Sequence, residues 1–222
     1  LLQETAQQIR SLGRRCLPVI CDVTIKAQVD AAVGKAMKEF GRIDILVNTV
    51  GGVDNFDPIE DISEEAWDRH VDWNLKGAFL CTQAVGKVML KQRKGKIVNI
   101  GSINGFVPFA RSTSPYNVAK AGLNNFTKQV AEEWGDRGIW ANCIAAAGMN
   151  TPGSERALRS RHEDWGLAPI TRSPCQSDQP PIGFCFAEPE LYVPLVLFLA
   201  SPASNHITGD IISPGGVALR RT

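Results

Sequence analysis

The chain has 222 residues, 24 Lys+Arg against 23 Asp+Glu, a formal charge of +1 and 44% hydrophobic residues. That is enough for one sizeable core, so a single domain over residues 1–222 is expected, and the near-neutral charge gives no electrostatic reason to expect nucleic acid or an anionic membrane as partner. The longest apolar run, Leu191 to Ala200, holds Pro194 and falls short of the ~18–20 residues that span a membrane.

Periodicity alternates between helix and strand from the start. Leu2, Ala6, Ile9 and Leu12 form a helical stripe that Gly13 would end. Cys16 to Cys21 reads as a short buried strand, and Thr24 as the cap of a helix with Val29, Val33, Met37 and Phe40 on its apolar face, stopped by Gly41. Ile43 to Asn48 is a second strand, running into a turn at Gly51-Gly52. Ser63 caps a long helical stretch to Gln92, with a break near Asn74–Gly77. Lys96 to Ile100 is a third strand, 116–135 a helix, Ile139 to Ile144 a fourth strand, and Asp210 to Ser213 a fifth. A late helix over 188–200 has Pro194 inside it, which costs roughly 3 kcal/mol unless the proline lies in the first turn.

Apolar strands separated by amphipathic helices predict a doubly wound, Rossmann-like α/β fold, its parallel sheet covered on both faces. The stretch 151–190, rich in Pro, Ser and Arg, is irregular, and a loop this long reads as a substrate lid.

Ligands of open α/β sheets bind at the carboxyl ends of the strands. Here those ends are followed by Asp22-Val23-Thr24, Asn48-Thr49-Val50-Gly51, Gly101-Ser102, and Ala145 to Thr151. Tyr116 and Lys120 are one helical turn apart, so phenol and ammonium share a face, and a cation beside a phenol favours the phenolate. Ser102 could donate a hydrogen bond to the oxygen that Tyr116 protonates. The six cysteines show no CxxC or Cys/His metal spacing and read as reduced, mostly buried thiols of a cytoplasmic protein. His70, His162 and His206 have no partner spacing that suggests a metal or a triad, and read as surface or structural.

In these motifs, taken in order, the sequence resembles the short-chain dehydrogenase/reductases: Asp22-Val23-Thr24, Asn48 to Gly51, Asn74 to Gly77, Gly101-Ser102, Tyr116-xxx-Lys120 and Ile207-Thr208-Gly209. The resemblance implies an oxidoreductase that uses NAD or NADP to interconvert a small-molecule secondary alcohol and a ketone. Tyr116 would be the general acid/base, and Lys120 would lower its pKa and bind the cofactor ribose. Ser102 would orient the carbonyl, and Asn74 would hold a relay water. Asp22 and Val23 would contact the adenine, Asn48 and Gly51 would underlie the cofactor, and Thr151 would meet the carboxamide. Within the family the pattern looks closest to 3-oxoacyl-carrier-protein reductases and cyclic-alcohol dehydrogenases. Val53, Phe106, Phe109 and Trp165 are candidate apolar walls, and relatives suggest a homotetramer or dimer.

The sequence departs from this family in several places, among them Thr49-Val50 and residues 171–187, and two departures bear on function. The opening strand, glycine-rich turn, helix and second strand have no counterpart, a deficit of roughly 30–40 residues, or about one βαβ unit. That unit supplies the helix N-terminus for the pyrophosphate and the central strand of the sheet. Either the sequence belongs to a longer protein, the reading favoured here, or it is a short variant with weak or no dehydrogenase activity. The family's Pro-Gly after the fourth strand reads Ala146-Ala147. Both departures motivate an alternative: a degenerate member that acts by binding or assembly.

Overall fold

The computed structural model describes residues 1–54, 56–108, 112–156, 173–174 and 185–214. Its elements, in chain order, begin with α1 (Leu2–Ser11), α2 (Lys26–Phe40) and β1 (Ile45–Asn48). They continue with α3 (Glu64–Val71), α4 (Gly77–Gln92), β2 (Gly95–Ser102), α5 (Ser114–Trp134) and β3 (Ile139–Ala146). The short strands β4 (Gly148–Met149), β5 (Ser173–Pro174) and β6 (Cys185–Ala187) lead to α6 (Val193–Ala200) and β7 (Ile211–Ile212).

The main sheet has the order β1-β2-β3-β7, all parallel, with Asn48 opposite Asn99, Ser102 opposite Ala146 and Cys143 opposite Ile211. Successive side chains of a strand point to opposite faces, and both faces of β2 are buried. Ile97 packs with Val85, Met89, Val130 and Ile139 under α4 and α5. Val98 packs with Ile144, Tyr192 and Leu199 on the α6 side. The doubly wound, Rossmann-like arrangement read from the sequence is therefore what forms. A second small sheet, β4-β6-β5, was not foreseen. Most of 151–190, including Trp165, and Phe109 lie outside the described residues.

Several local expectations hold for the expected reasons. Gly41 ends α2 with φ 76°, and the Ser63 hydroxyl accepts from the Ala66 N–H to cap α3. The helix break is a π-turn, Asp72–Lys76, between α3 and α4. Pro194 falls in the first turn of α6, where its missing N–H has no helical partner to lose.

Others need correction. Cys16 to Cys21 is not a strand: no strand lies beside it among the described residues, and Ile20 is 90% exposed. A strand exists only through a ladder partner, and apolar residues alone do not make one. β1 starts at Ile45 because the backbone N–H and C=O of Ile43 pair with the Gln92 side chain (3.1 and 2.7 Å) instead of a neighbouring strand. Thr24 does not cap α2; Ile25 stands at that position, and Thr24 donates through its N–H and hydroxyl to Asp22. Cys143 is fully buried, while Cys16, Cys21 and Cys81 are half-buried free thiols.

Candidate active site

β1, β2 and β3 all end on one edge of the sheet, and the sequence-predicted residues gather around that edge. Ser102 closes β2, and the first turn of α5 brings Tyr116 to it, so that the Ser102 hydroxyl acts on the phenol and lowers its pKa. Ser102 Oγ also accepts from the Asn104 N–H at 3.1 Å, which fixes its orientation. One turn further along α5, Lys120 is 4% exposed. Its Nζ lies 5.7 Å from the Tyr116 ring centroid and donates to the Ile100 carbonyl at 3.1 Å.

Burial sets the protonation of this group. It pushes the Tyr116 phenol above its ordinary range, and the Ser102 hydrogen bond pulls the other way. It pushes the Lys120 ammonium down to about 8, with Cys143 acting in the opposite sense. The Cys143 thiol itself is pushed up to about 11 by burial, with Lys120 pulling it down. In the protein alone desolvation dominates the phenol, and Ser102 is the group that opposes it.

Asn74 sits 1% exposed in the π-turn, facing Gly52. Its Nδ2 donates to the carbonyls of Gly52 (2.8 Å) and His70 (3.0 Å), and its Oδ1 accepts from the Gly52 N–H (2.8 Å). Both amide protons are therefore spent on the protein, and a relay water could meet only the second Oδ1 lone pair or the backbone carbonyl. Gly51, at φ 148°, lies against the same two residues. A Cβ there would stand 2.5 Å from Asn74 Oδ1 and 3.1 Å from Lys120 Nζ, so only glycine leaves the space.

The remaining predicted residues take lesser places. Asn48 donates to Asn99 Oδ1 (2.8 Å) and Thr82 Oγ1 (3.3 Å), tying β1 to β2 and α4 beneath the site. Asp22 spends its carboxylate on Thr24, whose hydroxyl and N–H hold it below the usual carboxylate range. Val23 packs on Gly77, where an added Cβ would meet Val23 Cγ2 at 2.7 Å, three residues beyond Asn74. Thr151 caps the short helical turn 152–156 by reciprocal 3.0 Å bonds with Ser154, and among the described residues no hydrogen bond joins it to Tyr116 or Lys120. Val53 is half-buried and Phe106 exposed. The backbone after Ala146 is held by the Ala147 N–H donating to the Tyr192 hydroxyl at 3.1 Å.

Sequence reading passed over several members of the site. Asn117, next to Tyr116, accepts from Asn104 Nδ2 (3.0 Å) and the Thr113 hydroxyl (3.2 Å). Cys143 donates to Asn124 Oδ1 at 3.5 Å. His70 carries the carbonyl that Asn74 grips. The available signal was position: one polar residue beside the Tyr, one polar residue a turn after the Lys, and one His a turn before the Asn.

A paired Ser and Tyr beside a buried ammonium is a device for moving a proton on and off an oxygen. The family model for short chain dehydrogenases matches residues 1–162. The chain belongs to the short-chain dehydrogenase/reductase family. That family comprises oxidoreductases that use NAD or NADP. This short-chain dehydrogenase is 35% identical over 211 residues to the BbsD subunit of a hydroxy(phenyl)methylsuccinyl-CoA dehydrogenase of Thauera aromatica, covering 95% of this chain and 79% of that protein. It is 34% identical over 215 residues to the 3-oxoacyl-(acyl-carrier-protein) reductase of Thermotoga maritima, covering 97% and 82%. Among solved structures, a short-chain type dehydrogenase/reductase from Mycobacterium marinum superposes with a TM-score of 0.83 at 30% identity, covering 97% of this chain and 80% of that one.

The nicotinamide–ribose end of such a cofactor fits the residues present. Among the described residues Lys120 has a single hydrogen bond, to Ile100, against the three donors of an ammonium, and the missing Cβ at Gly51 keeps the surface beside it open. Lys120 and Tyr116 would hold that end, above the Gly51 turn. Among the described residues no helix N-terminus follows a glycine-rich turn of the kind that cradles a pyrophosphate.

Proposed function

We propose that the chain catalyses the NAD(P)-dependent interconversion of a secondary alcohol and a ketone, with Tyr116 as general acid/base. The observation that carries this reading is the buried Lys120 ammonium, 5.7 Å from the Tyr116 ring one helical turn away, with Ser102 at the end of β2 acting on the same phenol. When bound, the nicotinamide supplies or accepts the hydride. The protein supplies position and the proton. In the reductive direction Ser102 donates a hydrogen bond to the ketone oxygen while Tyr116 gives that oxygen its proton. The resulting phenolate is stabilised by Lys120, and Asn74 lies where a water could return a proton from solvent.

The substrate in this reading is a cyclic or acyl-chain ketone, since Val53 and Phe106 offer an apolar approach to the Ser102 edge, and two relatives are named for acyl thioester substrates. The working form is a cytoplasmic homodimer or homotetramer joined through α4 and α5, on which Phe79 and Val118 remain exposed.

The test is Tyr116→Phe assayed with NADH and NADPH on a panel of acyl-chain and cyclic ketones. Activity should fall at least about a thousandfold, with cofactor affinity within a few-fold of the parent protein. Turnover surviving that change would mean the proton comes from another group. Failure of the parent protein to bind either cofactor at millimolar concentration would leave the degenerate, assembly-only alternative.

A further inference from the structure

We propose that His70 and Asp54 form a clamp that positions Asn74, and that this pair is a further positioning element of the oxidoreductase reaction. The inference rests on the reading of Asn74 as part of the proposed site. His70 is 2% exposed in α3, one turn before Asn74, and has no role in the proton path described above. Its Nδ1 lies 2.7 Å from the Ala66 carbonyl, which can only accept, so Nδ1 carries the proton. Nε2 therefore faces the 51–54 turn. It lies 3.1 Å from Asp54 Oδ1 and 3.5 Å from the Asp54 N–H. A neutral ring accepts from that N–H, and a protonated ring donates to the carboxylate.

Arg69, the preceding residue, grips the same carboxylate from outside through Nε and Nη2, both at 3.3 Å. Asn74 then holds Gly52 through the two hydrogen bonds already described and closes on the His70 carbonyl. The strand-end turn is thus pinned to the α3/π-turn segment at two points: Asp54 on His70, and Gly52 on Asn74. Gly51, whose close approach to Asn74 and Lys120 leaves no room for a Cβ, lies at the inner end of the pinned stretch. The imidazole also lines a small cleft with Pro115, the residue before Tyr116. His70 therefore adjoins the start of the helix that carries Tyr116 as well as the segment that carries Asn74. A displacement of about 1 Å in such a support can cost as much as a hundredfold in rate.

Asn and Gln substitutions separate the two arms of the ring. The amide nitrogen of His70→Asn stands near Nδ1 and keeps only the Ala66 bond; that of His70→Gln stands near Nε2 and keeps only the Asp54 bond. In the full chain, amide hydrogen exchange should be about tenfold faster at Gly52 in His70→Asn and close to the parent in His70→Gln, with β2 and β3 amides unchanged. In turnover, His70→Asn should lower kcat about tenfold at unchanged KM, and this loss should vanish in an Asn74→Ala background. Unchanged Gly52 exchange in His70→Asn, equal behaviour of the Asn and Gln variants, loss of protection spreading to β2 and β3, or additivity with Asn74→Ala would each overturn the clamp. The exchange arm decides the matter without turnover, so a failure of the proposed reaction is distinguishable from a failure of the clamp.

Discussion

The ammonium of Lys120 lies 5.7 Å from the centre of the Tyr116 ring and is shielded from solvent by the ends of β2 and β3. Burial drives the two groups in opposite directions, the lysine down and the phenol up, each toward its neutral form. A pair that resists charge in the bare protein is poised to take it up when a polar ligand fills the crevice.

Lys120 should leave a mark on stability as a function of pH. Its folded pKa of about 8 lies below the ordinary 10.5, so between those values the unfolded chain holds a proton that the folded chain has released. Stability contributed by this group is therefore lowest below pH 8 and rises above it. Relative to Lys120→Met, the parent protein should gain about 1 kcal/mol between pH 8 and 9 in chemical denaturation. Parallel pH curves for the two proteins would contradict the burial argument. Above pH 9 the raised Cys143 thiol, titrating near 11, opposes the gain, which makes the lower window the informative one.

Ser102→Ala removes the hydroxyl that pulls the Tyr116 pKa down. The pH limb of kcat/KM in the oxidative direction should then move to higher pH, in addition to a fall of about a hundredfold at neutral pH. A limb that stays in place or moves to lower pH would show that Ser102 does not act on the phenol.

Gly51→Ala places a methyl group within 2.5 Å of Asn74 Oδ1 at a backbone φ of 148°. We expect a stability loss of about 1–3 kcal/mol by thermal denaturation and loss of nicotinamide cofactor binding by fluorescence. Normal binding in the variant would mean that the turn has room the structure does not show.

Asn48→Ala tests the polar chain beneath the site. Asn48 donates to Asn99, whose Nδ2 donates to Thr127 Oγ1 at 2.9 Å, and Thr127 in turn donates to the Leu123 carbonyl at 2.8 Å. Removing the first donor leaves the buried Asn99 Oδ1 without that bond, at a cost of about 1–3 kcal/mol. The urea midpoint should fall accordingly. An unchanged midpoint would imply that another donor reaches Asn99.

Much of this molecule follows from local sequence. The period of the apolar residues determined α2, α4, α5 and the strands β1, β2 and β3, and Ser63 and Gly41 marked helix ends through capping chemistry that acts within a few residues. The spacing Tyr116-xxx-Lys120 placed phenol and ammonium on one helix face, because a helix repeats every ~3.6 residues wherever it sits. What the sequence alone could not decide depends on neighbours distant in the chain. Cys16 to Cys21 has strand composition but no ladder partner among the described residues, and Asp22 and Thr151 spend their side chains on local turns. The tertiary structure alone joined Asn74 to Gly52, His70 to Asp54 and Ser102 to Tyr116. It alone also reversed the expected pull on the phenol, because a desolvation penalty is a property of the surrounding fold and of no single residue.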